Sequence, residues 1–176
     1  MKTVSSKYLV GGALIALALS GCGRAGNTAG SDASANSEAA VATATDRPTA
    51  GRAIAITAND TMKFNTTEID ATPGEALAVT LTNTGRTPKY SMGHDWVLLQ
   101  PDTDLNHFVT DGLTAAATNY IADSDRGKVI ANTKLLGPNE SDTALFYAPK
   151  TPGKYPFICT FPGHMQLGMK GCLIVK

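Results

Sequence analysis

From residue 51 to residue 176 the chain is built of short segments that alternate apolar with small or polar side chains, broken repeatedly by proline, glycine and asparagine. Ala53-Ile-Ala-Ile-Thr-Ala alternates large and small residues, and Ala76-Leu-Ala-Val-Thr-Leu-Thr puts Leu77, Val79 and Leu81 on one face of a strand. Gly93–Leu99, Gly127–Ala131, Asp142–Tyr147, Lys154–Cys159 and Gly171–Lys176 supply further strands. Turns fall at Thr72-Pro-Gly, Asn83-Thr-Gly, Gly137-Pro-Asn and Thr151-Pro-Gly. Strands this short, punctuated this often, predict an all-β antiparallel sandwich or barrel. One stretch departs from the alternation. Between Asp102 and Tyr120, Leu105, Phe108, Val109 and Leu113 recur at helical spacing, which predicts a short helical flap. Phe64, Trp96 and Phe157 are expected in the core.

The first fifty residues follow a different logic. Lys2 and Lys7 precede an uncharged apolar stretch, Tyr8 to Leu19. A membrane-spanning helix needs roughly 20 apolar residues, so this stretch is too short to be one. Positive charge before it and small residues after it mark residues 1–21 as an export signal. Leu19-Ser20-Gly21-Cys22 resembles the lipobox of bacterial lipoproteins, which implies acylation of Cys22 and attachment to a membrane; the alternative is an ordinary signal peptide that leaves Cys22 a stray thiol. Residues 23–50 are rich in Ala, Ser, Thr, Gly and Asn, with Val41 the only large aliphatic, and bury too little apolar surface to order themselves. Residues 22–50 therefore read as a flexible tether spanning about 30 Å, and residues 51–176 as one domain. Lys and Arg number 15 against 15 Asp and Glu, with no basic run, so nucleic acid is not an expected partner.

The chemistry gathers near the C-terminus, where Cys159 is followed by His164 and then by Met169, with Thr160-Phe161-Pro162-Gly163 as a tight turn between the first two. Thiolate, imidazole and thioether form a soft donor set. Zinc seldom takes methionine, whereas one cysteine, two histidines and a weak axial methionine suit a copper electron-transfer site. The second imidazole must come from His94 or His107. His94 follows Met92-Gly93 and opens the segment His94-Asp-Trp-Val-Leu-Leu, where strand alternation would aim it and Trp96 the same way, inward. His107 lies among polar residues of the flap and reads as a surface side chain.

Asn83-Thr-Gly-Arg-Thr-Pro-Lys-Tyr-Ser-Met-Gly-His94-Asp-Trp-Val-Leu, Val109-Thr-Asp-Gly, Thr133-Lys-Leu, Cys159-Thr-Phe-Pro-Gly-His164 and Lys170-Gly171 resemble the azurins, in order and at matching intervals. The resemblance covers residues 52–176 and implies a Greek-key cupredoxin sandwich holding one type 1 copper ion. It assigns His94, Cys159 and His164 as strong ligands, Met169 as the long axial one, and the Gly93 carbonyl to the opposite axial side. It also implies an electron carrier that meets redox proteins such as c-type cytochromes, or a copper or haem reductase or oxidase, through an apolar rim of Met62, Met92, Phe161, Pro162 and Met165, with Leu167 nearby. The leader resembles that of lipid-modified azurins, implying a periplasm-facing or surface lipoprotein of a bacterial envelope, anchored in the outer membrane.

Three departures stand out. Met169 follows His164 by five residues, as in auracyanins and plastocyanins, instead of four. Arg52 and Glu75 occupy the positions of an azurin disulfide, so the bridge is absent and the two side chains are free to form an ion pair. Asp95 stands where an asparagine is usual, and an ionised carboxylate only accepts hydrogen bonds. Two other readings remain open at this point. One is an Ig-like sandwich stapled by Cys159–Cys172, with Cys172 otherwise a non-ligand thiol turned away from the core-facing Leu173 and Val175. The other is a module that stores or delivers copper without redox turnover. An enzyme is not expected, because the donor set leaves no open coordination position.

Overall fold

The computed structural model describes residues 47–176; the signal peptide read at 1–21, the acylation expected at Cys22 and the tether as far as residue 46 lie outside the described residues. The remaining end of the tether is already packed: Arg47 Nε donates to the Leu145 carbonyl at 2.9 Å and Pro48 is buried. Ordered contacts thus begin before Gly51.

Eight strands make two facing sheets: β1 (Arg52–Ala58), β2 (Glu68–Ala71), β3 (Ala76–Asn83), β4 (Val97–Leu99), β5 (Val129–Asn132), β6 (Ser141–Tyr147), β7 (Gly153–Ile158) and β8 (Lys170–Val175). The smaller sheet has the order β1-β3-β6 and the larger β2-β8-β7-β4-β5. The alternation read in the sequence sets the buried faces, with Leu77, Val79 and Leu81 on β3 and Leu173 and Val175 on β8 all inside. The pairing is not wholly antiparallel, however. β1 runs parallel to β3 with Ile54 opposite Val79, and β2 runs parallel to β8 with Ile69 opposite Leu173. The chain leaves β1, crosses the sandwich to form β2, and crosses back to form β3. Side-chain alternation fixes which face is buried but not which strand lies alongside.

Other boundaries shift for local reasons. The segment expected as a strand from Gly93 forms one only at Val97–Leu99, because a short helix, α1 (Lys89–Met92), ends at Gly93 and His94 makes an isolated bridge to Leu136. The flap forms as α2 (Leu105–Gly112), capped by Asp104, whose Oδ1 accepts from the amides of Asn106 at 2.9 Å and His107 at 3.1 Å. Beyond α2 the chain tightens into a 3₁₀ turn at Ala116–Thr118 and then places Asn119 and Tyr120 consecutively in the left-handed region, at φ 56° and 58°. Gly127 belongs to a second 3₁₀ turn, Asp123–Lys128, that precedes β5.

The apolar side chains fall into two clusters on opposite faces of the larger sheet. Trp96, Leu98, Phe157 and Leu173 join Leu77, Val79 and Leu81 between the sheets. Val97, Leu99 and Ile158, the alternate residues, pack outward against Phe108, Val109 and Ile121 of the flap. The continuous burial from Gly93 to Leu99 follows from this, since a strand covered on both faces keeps no polar side. Phe64, Trp96 and Phe157 are core residues, with Phe157 ring centroids 5.5 Å from Trp96 and 5.7 Å from Phe64.

Candidate metal centre

The loop joining β7 to β8 carries three of the expected donors, and its backbone closes on itself. The Cys159 amide donates to the Met169 carbonyl at 3.1 Å, and the Met169 amide to the His164 carbonyl at 2.9 Å. His164 N bonds Phe161 O at 3.1 Å, and Gly168 N bonds Met165 O at 3.0 Å. Gly163 and Gly168 take φ of 86° and 93°, values that let so short a loop reverse without a side-chain penalty. The result pins Cys159, His164 and Met169 in a segment where all three are buried.

His94 arrives from a distant part of the chain. Its amide donates to Leu136 O at 3.1 Å and its carbonyl accepts from Leu136 N at 2.7 Å, which fixes the backbone from which the ring projects. The donor atoms of His94, Cys159 and His164 all lie within 4.8 Å of one another, in a cluster with no exposed member. The two imidazole rings stand 5.0 Å apart between centroids, and Cys159 Sγ lies 3.4 Å from His164 Nδ1. His107, by contrast, is an exposed residue of α2 paired with Asp111 at 2.9 Å.

The electrostatics favour neutral imidazoles with free lone pairs. Burial, together with repulsion from His94, lowers the pKa of His164 to about 4. Burial also lowers that of His94, against the weaker opposing influence of the Asn59 carbonyl and the Asp60 carboxylate. Burial pushes the Cys159 thiol well up, and the nearby Asp95 charge adds to the effect. Neither ring nitrogen of His94 makes a well-formed protein hydrogen bond, the Asn59 carbonyl being a weak partner only. An orphaned buried nitrogen of this kind costs roughly 1–3 kcal/mol, a cost that a coordinated metal ion would remove at the one nitrogen carrying the lone pair. Two imidazoles, a thiol and a buried methionine on the same loop fit copper better than zinc.

Asp95 is buried next to His94 and reaches the same loop. Its Oδ1 accepts from the Thr160 amide at 2.7 Å, and its Oδ2 accepts from the Thr160 hydroxyl at 2.5 Å. Burial raises its pKa to about 6, against the Thr160 hydrogen bonds, which lower it. The Thr160 hydroxyl also lies 2.9 Å from the Asn119 carbonyl, so one hydroxyl proton faces two acceptors. Asp95 thus meets the ligand loop as an acceptor, as expected of a carboxylate at this position.

The rim residues separate. Met62, Met92 and Pro162 are half-buried, and Leu167 is exposed. Met165 is 3% exposed and belongs to the flap cluster with Phe108 and Ile121, which corrects its expected place on the apolar surface: the turn after His164 directs it under the flap. Phe161 is largely buried as well, its ring 4.7 Å from that of His164. Gly93 is buried at the end of α1. Cys159 and Cys172 are both free thiols, Cys172 partly buried on β8, which excludes the disulfide-stapled reading. Arg52 and Glu75 do form the expected ion pair, Nε to Oε1 at 2.5 Å, while Arg52 also donates to the Asp70 carbonyl at 2.6 Å. Sequence reasoning missed Asn119 and Tyr120, and their left-handed backbone had no local signal beyond the asparagine.

A two-sheet sandwich with a buried histidine–cysteine–histidine cluster carried by the β7–β8 loop and a distant segment defines a cupredoxin with a copper site. Residues 51–176 match the family of copper binding proteins described as plastocyanin/azurin, and the chain belongs to that family. It is 40% identical over 124 residues to azurin of Pseudomonas aeruginosa, covering 69% of this chain and 82% of that protein. It is 41% identical over 117 residues to outer membrane protein H.8 of Neisseria gonorrhoeae, covering 65% of this chain and 63% of that protein. Among solved structures, reduced auracyanin of Roseiflexus castenholzii superposes with a TM-score of 0.63 at 32% identity, covering 70% of this chain and 96% of that one.

Proposed function

We propose that this protein is a one-electron carrier of a bacterial cell envelope, in which His94, Cys159 and His164 would hold copper, with the Met169 thioether and the Gly93 carbonyl as further donors. The observation that carries the reading is the convergence of three buried donors within 4.8 Å, two of them neutral imidazoles. Copper bound there supplies a Cu(II)/Cu(I) couple. The protein's part is to keep the donors in place: the closed β7–β8 loop and the His94–Leu136 bridge leave them little freedom to rearrange between oxidation states. The filled donor set supports a carrier without enzymatic activity.

Electrons pass at the His164 edge, where Pro162, Met62, Met92 and Leu167 offer an apolar contact of the small area typical of transient redox encounters. The partners in this reading are soluble or membrane-bound redox proteins, such as c-type cytochromes or a copper or haem oxidoreductase. Acylation at Cys22 and the tether behind it would hold the domain at a membrane, and similarity to H.8, an outer membrane protein, favours the outer one.

Adding Cu(II) to the metal-free protein tests the function. An intense thiolate-to-copper visible band at one equivalent with reversible voltammetry supports the carrier. A colourless Cu(I) complex that yields its metal to a mild chelator, as a delivery module would, overturns it.

A further inference from the structure

Besides covering Met165, the flap meets the ligand loop through the left-handed pair Asn119–Tyr120. The Asn119 carbonyl lies 2.9 Å from the Thr160 hydroxyl, which in turn grips Asp95 beside His94. The Tyr120 ring packs edge-on against Phe161, with centroids 5.4 Å apart at 71°, and Phe161 lies against the His164 ring at 4.7 Å and 36°. Such edge-to-face contacts are among the preferred aromatic geometries.

The turn is built to hold this position. Tyr120 N bonds Ala115 O at 2.9 Å, Asn119 N bonds Ala116 O at 3.2 Å, and the Thr118 hydroxyl reaches Ile121 O at 2.7 Å. Two successive non-glycine residues at positive φ persist only where the surroundings over-determine them. The last residue of α2 is the other wall: a methyl group at Gly112 would collide with the Tyr120 carbonyl oxygen. The helix therefore presses the turn against the ligand loop through a position that only glycine fits.

We infer that Tyr120, with Asn119, is a positioning element for the metal centre, holding the His164 ring through Phe161 and the start of the ligand loop through Thr160. Tyr120 acts through the residues it braces. The inference rests on the copper reading only for what is positioned; the bracing itself belongs to the metal-free protein and is read there.

The test uses the full-length metal-free chain and compares Tyr120→Phe, Tyr120→Leu, Tyr120→Ala and the remote Gly112→Ala by amide exchange and histidine ring NMR. Tyr120→Ala, Tyr120→Leu and Gly112→Ala should speed exchange of the Thr160 amide by about tenfold, the scale of one lost packing contact, while amides of β3 change less. The same variants should shift the His164 ring resonances more than those of His94, and Tyr120→Phe should match the parent. Loaded with copper, Tyr120→Leu should alter the Cu(II) hyperfine splitting where Tyr120→Phe does not. Unchanged Thr160 exchange and His164 resonances, equal acceleration across Thr160 and β3, or a Tyr120→Phe variant that behaves like Tyr120→Ala each overturn the inference. A parent protein that binds no copper removes the proposed function but leaves the NMR comparison decisive.

Discussion

The two faces of the five-stranded sheet share strands but differ in what they hold. The inner face packs Trp96, Leu98, Phe157 and Leu173 against a second sheet, in a cluster that includes Cys159 and Met169. The outer face packs Val97, Leu99 and Ile158 against one helix and its following turns, and takes Met165. A single loop thus sends Met169 to one cluster and Met165 to the other. The inner cluster lies between two hydrogen-bonded sheets, whereas the outer one is covered by the flap and by Met165 of the ligand loop. Ligand geometry is secured from within and trimmed from without.

The comparison breaks most severely at Phe157, which lies between Trp96 and Phe64. Phe157→Ala should cost about 3–5 kcal/mol in denaturant unfolding, with every probe shifting together. Phe108→Ala empties the outer cluster and should cost about 3 kcal/mol, with amide exchange of α2 rising well before that of β3, because the flap can open on its own. Equal protection loss in α2 and β3 would show that the two faces form one cooperative unit. Asp95→Asn probes the seam between them. An amide at this position donates to the Thr160 hydroxyl, whose proton then serves Asn119, and a negative charge that favours Cu(II) is removed. Voltammetry should show a potential raised by tens of millivolts, since a tenfold shift in a one-electron equilibrium is about 59 mV; an unchanged value counts against a role for the Asp95 charge. The smallest effect belongs to Arg52→Ala, at the joint between β1 and β2, where a half-exposed ion pair should contribute at most about 1 kcal/mol, measured as a small drop in melting temperature.

Much of the inner face was legible. Leu77, Val79 and Leu81 announce it by alternation, and Cys159, His164 and Met169 announce the donors by their chemical kind. What escaped reading was tertiary. β2 is four residues, Glu-Ile-Asp-Ala, with too little pattern to stand out, and its parallel partner β8 lies far along the chain. α1 follows Pro88 with no buried residue to mark its period. Met165 looked like rim because its burial depends on the flap, which no local pattern places. The link from Asn119 to Thr160 depends on two residues that only the folded flap brings together.

The parallel pairing of β2 with β8 has a consequence for assembly. An early strand must wait for the last one, and such distant pairings are slow to close because the loop entropy must be overcome first. Cys159, His164 and Met169 lie just ahead of that last strand, so the loop that carries them is anchored at its far end by the same pairing. His94 and the loop donors lie far apart along the chain, so the three-donor cluster exists only where those two segments have met.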